Sequence, residues 1–464
     1  MNPQEKFDRL VTRYPHDHTH FWRRPLSSRR QFFQLLGAGV SGCFLWPPRS
    51  LTQTPTWTAA GVKVQGRARQ AIFILLAGAP SHTDLFDLKV LAGVTPNNFQ
   101  PEDLNGVLFP VGLMPRIAEQ FGKVATVRSV RSWSAVHGLA QTWTQIGRNP
   151  TSLSGRIAPH IGSIVAVEKH PERRPGQTLP SFLQFNVGNS PAAGYLPGEY
   201  APLRMNPSAG GLGSTTHPAG EVRFNDRWRL LHTLDDSLRV NSPLGKPGED
   251  LNDFYDSARA LMYNPTVDQI FRFTTADSQR YGNTAFGNAC LVAGKTLAAN
   301  QGARFIQINF GGWDHHGDIY SPNNLYAQAR TLDNGLGTLI ADLAAAGLLE
   351  ETLIVACGEF GRTVGRLTGR NGRDHFLQQF VFFAGGGIQG GRAIGVTNET
   401  GAFTIDPGWS RQRDVRIEDV EATLYSALGI NWTTIRYDDP FRRGFEYVPF
   451  AREDTYGPID ELWG

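Results

Sequence analysis

The chain has 464 residues, 40% of them hydrophobic and 19% charged, a globular composition with apolar material for a large core. The formal charge of +3 is concentrated at the start: residues 1–60 hold eight Lys/Arg against three acids, leaving 37 basic and 39 acidic residues, net −2, elsewhere. A near-neutral body gives no support for a nucleic-acid footprint, which would need a basic face. Three cysteines, Cys43, Cys290 and Cys357, are too few for a disulfide framework; Cys290 and Cys357 read as two buried thiols or one bridge.

Ser28-Arg29-Arg30-Gln31-Phe32-Phe33 resembles the twin-arginine export signature. The weakly apolar run Leu35–Trp46 follows it, too short for a bilayer span, which takes about 20 residues. A charged segment followed by a short apolar one is the pattern of a signal peptide. Residues 1–60 are therefore expected to be a twin-arginine signal peptide and linker, with a periplasmic or extracellular destination. Val40-Ser41-Gly42-Cys43 resembles a lipobox, which makes Cys43 a candidate lipid anchor. The twin-arginine route carries folded cargo, often with a metal or cofactor already bound.

Residues 61–464 read as one α/β domain, with no transmembrane segment. Ala71–Ala77 is a continuous apolar run ended by Gly78, the pattern of a strand buried on both faces in a parallel sheet. Val124–Val127, Ser181–Phe185, Phe305–Phe310, Leu353–Cys357 and Phe380–Ala384 are further strands. Helical patterns occupy 284–300, 324–347 and 417–428, the second with apolar residues at three- and four-residue spacing and Gly347 as its stop. Alternation of this kind predicts a three-layer α/β sandwich around a mostly parallel sheet. Residues 186–250 are rich in Gly, Pro, Ser and Asn and read as an irregular insertion at the rim of a site.

Ligands in open α/β sheets bind beyond the carboxyl ends of the strands. The first apolar run leads to Gly78-Ala79-Pro80-Ser81-His82-Thr83-Asp84 and Asp87, and the second to Ser132–His137. The 305–310 run leads to Gly312-Trp313-Asp314-His315-His316, and the 353–357 run to Gly358-Glu359-Phe360-Gly361-Arg362-Thr363. Gly372-Arg373-Asp374-His375 stands before the last strand. Carboxylates and imidazoles gathered at strand exits suit a divalent metal such as zinc, manganese or calcium. The candidate ligands are Asp84, Asp314, His316, Glu359, Asp374 and His375. Ser81 is a candidate nucleophile, His137 a candidate acid or base, and Arg362 and Arg373 candidate clamps for an anionic group. Each has a plainer alternative: Asp84 as a cap, Asp87 as a turn residue, His315 facing away, the arginines as salt bridges.

Taken in order, Ser28-Arg29-Arg30, Ser81-His82-Thr83-Asp84, Gly312-Trp313-Asp314-His315-His316, Glu359-Phe360-Gly361-Arg362-Thr363 and Gly372-Arg373-Asp374-His375 resemble domain-of-unknown-function family 1501 over nearly the whole chain. Those proteins are twin-arginine-exported and sulfatase-like. The resemblance implies an alkaline-phosphatase/sulfatase-like fold with one or two divalent metals at the strand exits, cleaving phosphate or sulfate esters through a Ser, Thr or formylglycine nucleophile. Two departures stand out. Glu359-Phe360 replaces the Asp-His or Asp-Asn metal pair of sulfatases. Ser132–His137 has neither the Pro nor the Arg of the formylglycine site, which argues against a sulfatase of that type.

The expected function is metal-dependent hydrolysis of phosphate or sulfate esters of small molecules or glycans, with Ser81 or a water activated by the metal attacking. The alternatives are a non-catalytic glycan- or partner-binding protein on the same fold, which fold alone does not exclude, and a purely structural metal site.

Overall fold

The computed structural model describes residues 56–464 apart from 189, 240–244 and 246–254. The export motif, the apolar run after it and Cys43 lie outside these residues. Thr56–Trp57, read from the sequence as linker, pairs antiparallel with Ile435–Arg436.

An eight-stranded sheet, counted among the described residues, divides the molecule. Its strands are β1 (Gln70–Leu75), β2 (Val124–Arg131), β3 (Phe182–Phe185), β4 (Leu203–Met205), β5 (Phe305–Asn309), β6 (Thr352–Cys357), β7 (Gln378–Gly385) and β8 (Arg392–Ile394). Their spatial order is β8-β2-β7-β6-β1-β5-β3-β4. All neighbours are parallel except β7, which runs antiparallel to β2 and β6. The fold is thus the expected three-layer sandwich on a mostly parallel sheet.

Strand periodicity sends alternate residues to opposite faces. Ile72, Ile74 and Leu76 join one core, and Ala71, Phe73 and Leu75 the other. The second core packs against α1 (His137–Ile146), α2 (Ile161–Lys169) and α7 (Ile417–Ala427). The first packs against α4 (Ala285–Ala299), α5 (Leu325–Leu332) and α6 (Thr338–Ala345). Both faces of the central strands are covered, so their sequences are apolar without interruption.

Two expectations are corrected. The helix expected over 324–347 is split by a π-turn at Asp333–Gly337. The turn lets the Asp333 carboxylate accept the Ile117 and Arg116 backbone N–H groups at 2.8 and 3.2 Å. The 186–250 stretch also contains edge strand β4 and the twenty-residue helix α3 (Gly220–Arg239). Phe224 and Trp228 of α3 pack on each other, with the Arg259 guanidinium over the Trp228 ring.

Cys290 and Cys357 are free, buried thiols in opposite cores, not a bridge. Burial pushes the Cys357 thiol up to about 12.

Candidate metal centre

The site lies where β1, β2, β5 and β6 end and β7 begins. Because β7 is antiparallel, its first residue Gln378 lies opposite Arg131 at the end of β2. The segment before it, Arg373-Asp374-His375, therefore reaches the same rim as the exits of the parallel strands. His137 opens α1 after the β2 exit. Gly78 makes the β1 exit at φ +105°, and a Cβ there would meet the Trp313 and Asp314 nitrogens at 2.9 and 2.8 Å. Only glycine fits, and this close approach brings the β5 exit against the β1 exit.

Four side chains converge: His137, Asp314, His316 and His375, with one ligand atom from each lying within 4.8 Å of the others. Asp314 Oδ1 is 3.2 Å from His137 Nε2, 3.0 Å from His316 Nε2 and 3.7 Å from His375 Nε2. His316 Nε2 and His375 Nε2 are 3.1 Å apart.

The other nitrogen of each ring is tied down. His137 Nδ1 lies 2.6 Å from Glu359 Oε1, His316 Nδ1 2.6 Å from Asp374 Oδ1, and His375 Nδ1 2.7 Å from the Ala135 carbonyl. Carboxylates and carbonyls accept, so each Nδ1 carries the proton and each Nε2 presents a lone pair in the neutral imidazole. Three lone pairs and a carboxylate oxygen then face one small space, and the buried His137 Nε2 has no hydrogen-bond partner. Such a set is complementary to a cation. In a tetrahedral zinc site with bonds of about 2.0–2.1 Å, neighbouring ligand atoms sit roughly 3.3 Å apart, close to the four separations just given. Nitrogen and oxygen donors with outer partners on every imidazole fit a borderline divalent ion such as zinc. The Phe360 ring lies tilted with its centroid 4.7 Å from those of both His137 and His375.

The electrostatics follow from these contacts. His137 is raised chiefly by its hydrogen bond to Glu359, against the opposing effect of burial. His375 is lowered, first by burial, which favours its neutral, ligating form. Burial is the largest single effect and works to raise Asp314, but Arg362, His137 and His316 together outweigh it and the carboxyl ends below its ordinary range. Asp374 is lowered mainly by its bond to His316.

The other expected ligands are placed differently. Glu359 is fully buried and accepts Gly78 N–H at 3.0 Å, Ala79 N–H at 3.2 Å and Gln141 Nε2 at 2.9 Å besides bonding His137. Asp84 is held by Arg373 Nε at 2.7 Å and Nη2 at 3.3 Å, and accepts the Tyr320 hydroxyl at 2.7 Å. Asp374 stands behind His316, orienting it.

Neither arginine is free to clamp an anion. Arg373 spends Nη1 on the Thr363 and Gly365 carbonyls. Arg362, 1% exposed, gives Nε to the Ala79 carbonyl, Nη1 to the Arg373 carbonyl and His316, and Nη2 to the Gly78 carbonyl and Asp314. Ser81 is buried and no base hydrogen-bonds its Oγ, so the contact that would activate it is missing. His315 lies outside the group of four, and burial lowers it to about 4. Asp87 is buried and accepts the Thr397 hydroxyl at 2.6 Å.

Sequence reasoning cast His137 as an acid or base, and the structure places it among the four converging residues. Its position at a strand exit, equivalent to those of Asp314 and Glu359, was the available signal. Phe360 stood out in the sequence only as a departure from the sulfatase metal pair, and the Ala135 carbonyl carried no sequence signal.

A family model described as protein of unknown function (DUF1501) matches residues 68–443. The chain belongs to this family. No curated protein matches this DUF1501 chain in sequence. Among solved structures it is similar to the PsFucS1 sulfatase from Pseudoalteromonas sp., with 13% identity, 79% of this chain and 68% of that one covered and a TM-score of 0.39. It is also similar to a protein in the alkaline phosphatase superfamily from Vibrio parahaemolyticus, with 9% identity, 88% and 92% covered and a TM-score of 0.37. A third is the phosphonate monoester hydrolase SpPMH from Silicibacter pomeroyi, with 12% identity, 78% and 73% covered and a TM-score of 0.38. No helix among the described residues is long and apolar enough to cross a membrane.

Proposed function

We propose that the protein is a metal-dependent hydrolase of phosphate or sulfate esters, of small molecules or glycans, acting outside the cytoplasm. The observation that carries this reading is the convergence of three Nε2 lone pairs and the Asp314 carboxylate in a place that solvent reaches. The Asp314 side chain is 46% exposed and that of His316 32%. Four protein donors would fill a tetrahedral ion, as in structural sites, so hydrolysis requires the ion to take a fifth ligand on this exposed side.

A divalent ion there would supply Lewis acidity toward an ester oxygen and make a water acidic enough to attack at neutral pH. The protein's part is positional. Glu359, Asp374 and the Ala135 carbonyl hold the Nδ1 protons, so His137, His316 and His375 keep their lone pairs inward. Arg362 donates to the same Asp314 oxygen that faces the imidazoles and fixes the β1 exit through the Gly78 and Ala79 carbonyls. The exposed Asp314 and His316 side chains mark the face from which an ester would approach. Export is supported by the resemblance of Ser28–Phe33 to the twin-arginine signature.

The second reading is a non-catalytic glycan- or partner-binding protein. It is favoured by one observation: Ser81 has no base, and both arginines are spent on the protein itself. The test is a panel of nitrophenyl phosphate, phosphate diester and sulfate esters with metal-loaded, chelator-stripped and His316→Ala protein. Turnover that vanishes on stripping, returns on reloading and is lost in the variant supports the hydrolase. A fully loaded protein that cleaves none of them leaves the binding reading.

A further inference from the structure

We propose that this centre takes a single divalent ion, and that the guanidinium of Arg362 is a permanent second cation beside it. The inference rests on the metal-centre reading above and adds its nuclearity. The strand exits deliver enough acids and histidines for two ions, but the fold divides them.

Glu359 is saturated by two backbone N–H groups, His137 Nδ1 and Gln141 Nε2. Asp84 is saturated by Arg373 and the Tyr320 hydroxyl. Asp374 is turned to His316 Nδ1, with Arg370 3.6 Å away. The donors left over are the four that converge on one space.

Arg362 Nη2 lies 2.5 Å from Asp314 Oδ1 and Nη1 3.4 Å from His316 Nε2, so the guanidinium already stands against two of the four donor atoms and takes up positive charge beside them. A guanidinium keeps its charge at any working pH. This one is anchored to three carbonyls, those of Gly78, Ala79 and Arg373, so it does not swing away. A second dication would meet a fixed positive charge, with only the outer oxygens of the half-exposed Asp314 and Asp374 left to bind it. The site therefore offers charge compensation from one metal and one arginine.

The experiment uses the full chain. Metal-free protein is loaded with excess manganese(II), desalted, and assayed by elemental mass spectrometry and by electron paramagnetic resonance. A zinc titration by calorimetry gives an independent stoichiometry. The expected result is about one equivalent by both counts, with a manganese spectrum free of exchange coupling at saturation. Two equivalents with an exchange-coupled spectrum would overturn the inference while leaving the metal centre standing. No bound metal would overturn both. None of these readouts needs an Arg362 variant, whose loss of three carbonyl contacts endangers folding.

Discussion

Asp84→Asn separates the sequence expectation from the structural one. If Asp84 were a ligand, the change would strip metal and leave stability nearly untouched. In the structure its carboxylate neutralises Arg373, both side chains being 2% exposed or less. Asparagine keeps the shape but leaves a buried guanidinium without a counter-charge, a change that costs about 3–5 kcal/mol. Unfolding entropy near 60 °C is about 2.1 cal/mol/K per residue, or roughly 0.8 kcal/mol/K for about 400 folded residues. The melting temperature should therefore fall by about 4–6 °C. Calorimetry of the metal-loaded protein, with elemental analysis of the same sample, is the assay. Near-full metal content with that fall is expected. Metal loss at an unchanged melting temperature would refute the placement of Asp84.

Other predictions follow from the same contacts. Glu359→Gln turns an amide toward His137 Nδ1 and disturbs its tautomer, so metal affinity should drop about 10- to 100-fold in competition with a chelator; unchanged affinity would remove Glu359 from the account. Glu421, on α7, is buried, and burial pushes its carboxyl up to about 8 from the ordinary 4.5. A raised acid favours the folded state below its unfolded pKa, and that contribution is lost as pH rises through the folded value. Relative to Glu421→Gln, the wild type should thus lose roughly 3–5 kcal/mol between pH 4.5 and 8 by urea denaturation, whereas parallel profiles would contradict the burial argument. With one divalent ion and Arg362 facing Asp314, Asp374 and Glu359, the centre is near neutral. Singly charged sulfate esters and phosphate diesters should then exceed a dianionic monoester in kcat/KM by about tenfold, and the reverse order would contradict this charge count.

The sheet was legible because its central strands are buried on both faces and read as unbroken apolar runs. Direction was not legible: an apolar run such as Phe380–Ala384 says nothing about which way β7 points, yet that reversal brings His375 to the site. Helix α3 was missed because its polar residues dominate, with Phe224 and Trp228 facing a small local contact. The rim residues were legible from their place after each strand. Their partners were not, since spacing along a chain does not say which acid meets an arginine. Asp84 and Glu359 look like ligands until Arg373, Gly78 and Ala79 are seen to have claimed them. His137 was readable as a rim residue, but its ring orientation depends on Glu359, 222 residues away.

X-ray absorption at the zinc edge of the loaded full chain tests the central claim most directly. The account predicts only nitrogen and oxygen neighbours at about 2.0–2.1 Å, with outer-shell scattering from three imidazoles that falls to two in His375→Ala. An absorbing zinc with one imidazole or none, or a spectrum unchanged by that substitution, would contradict it.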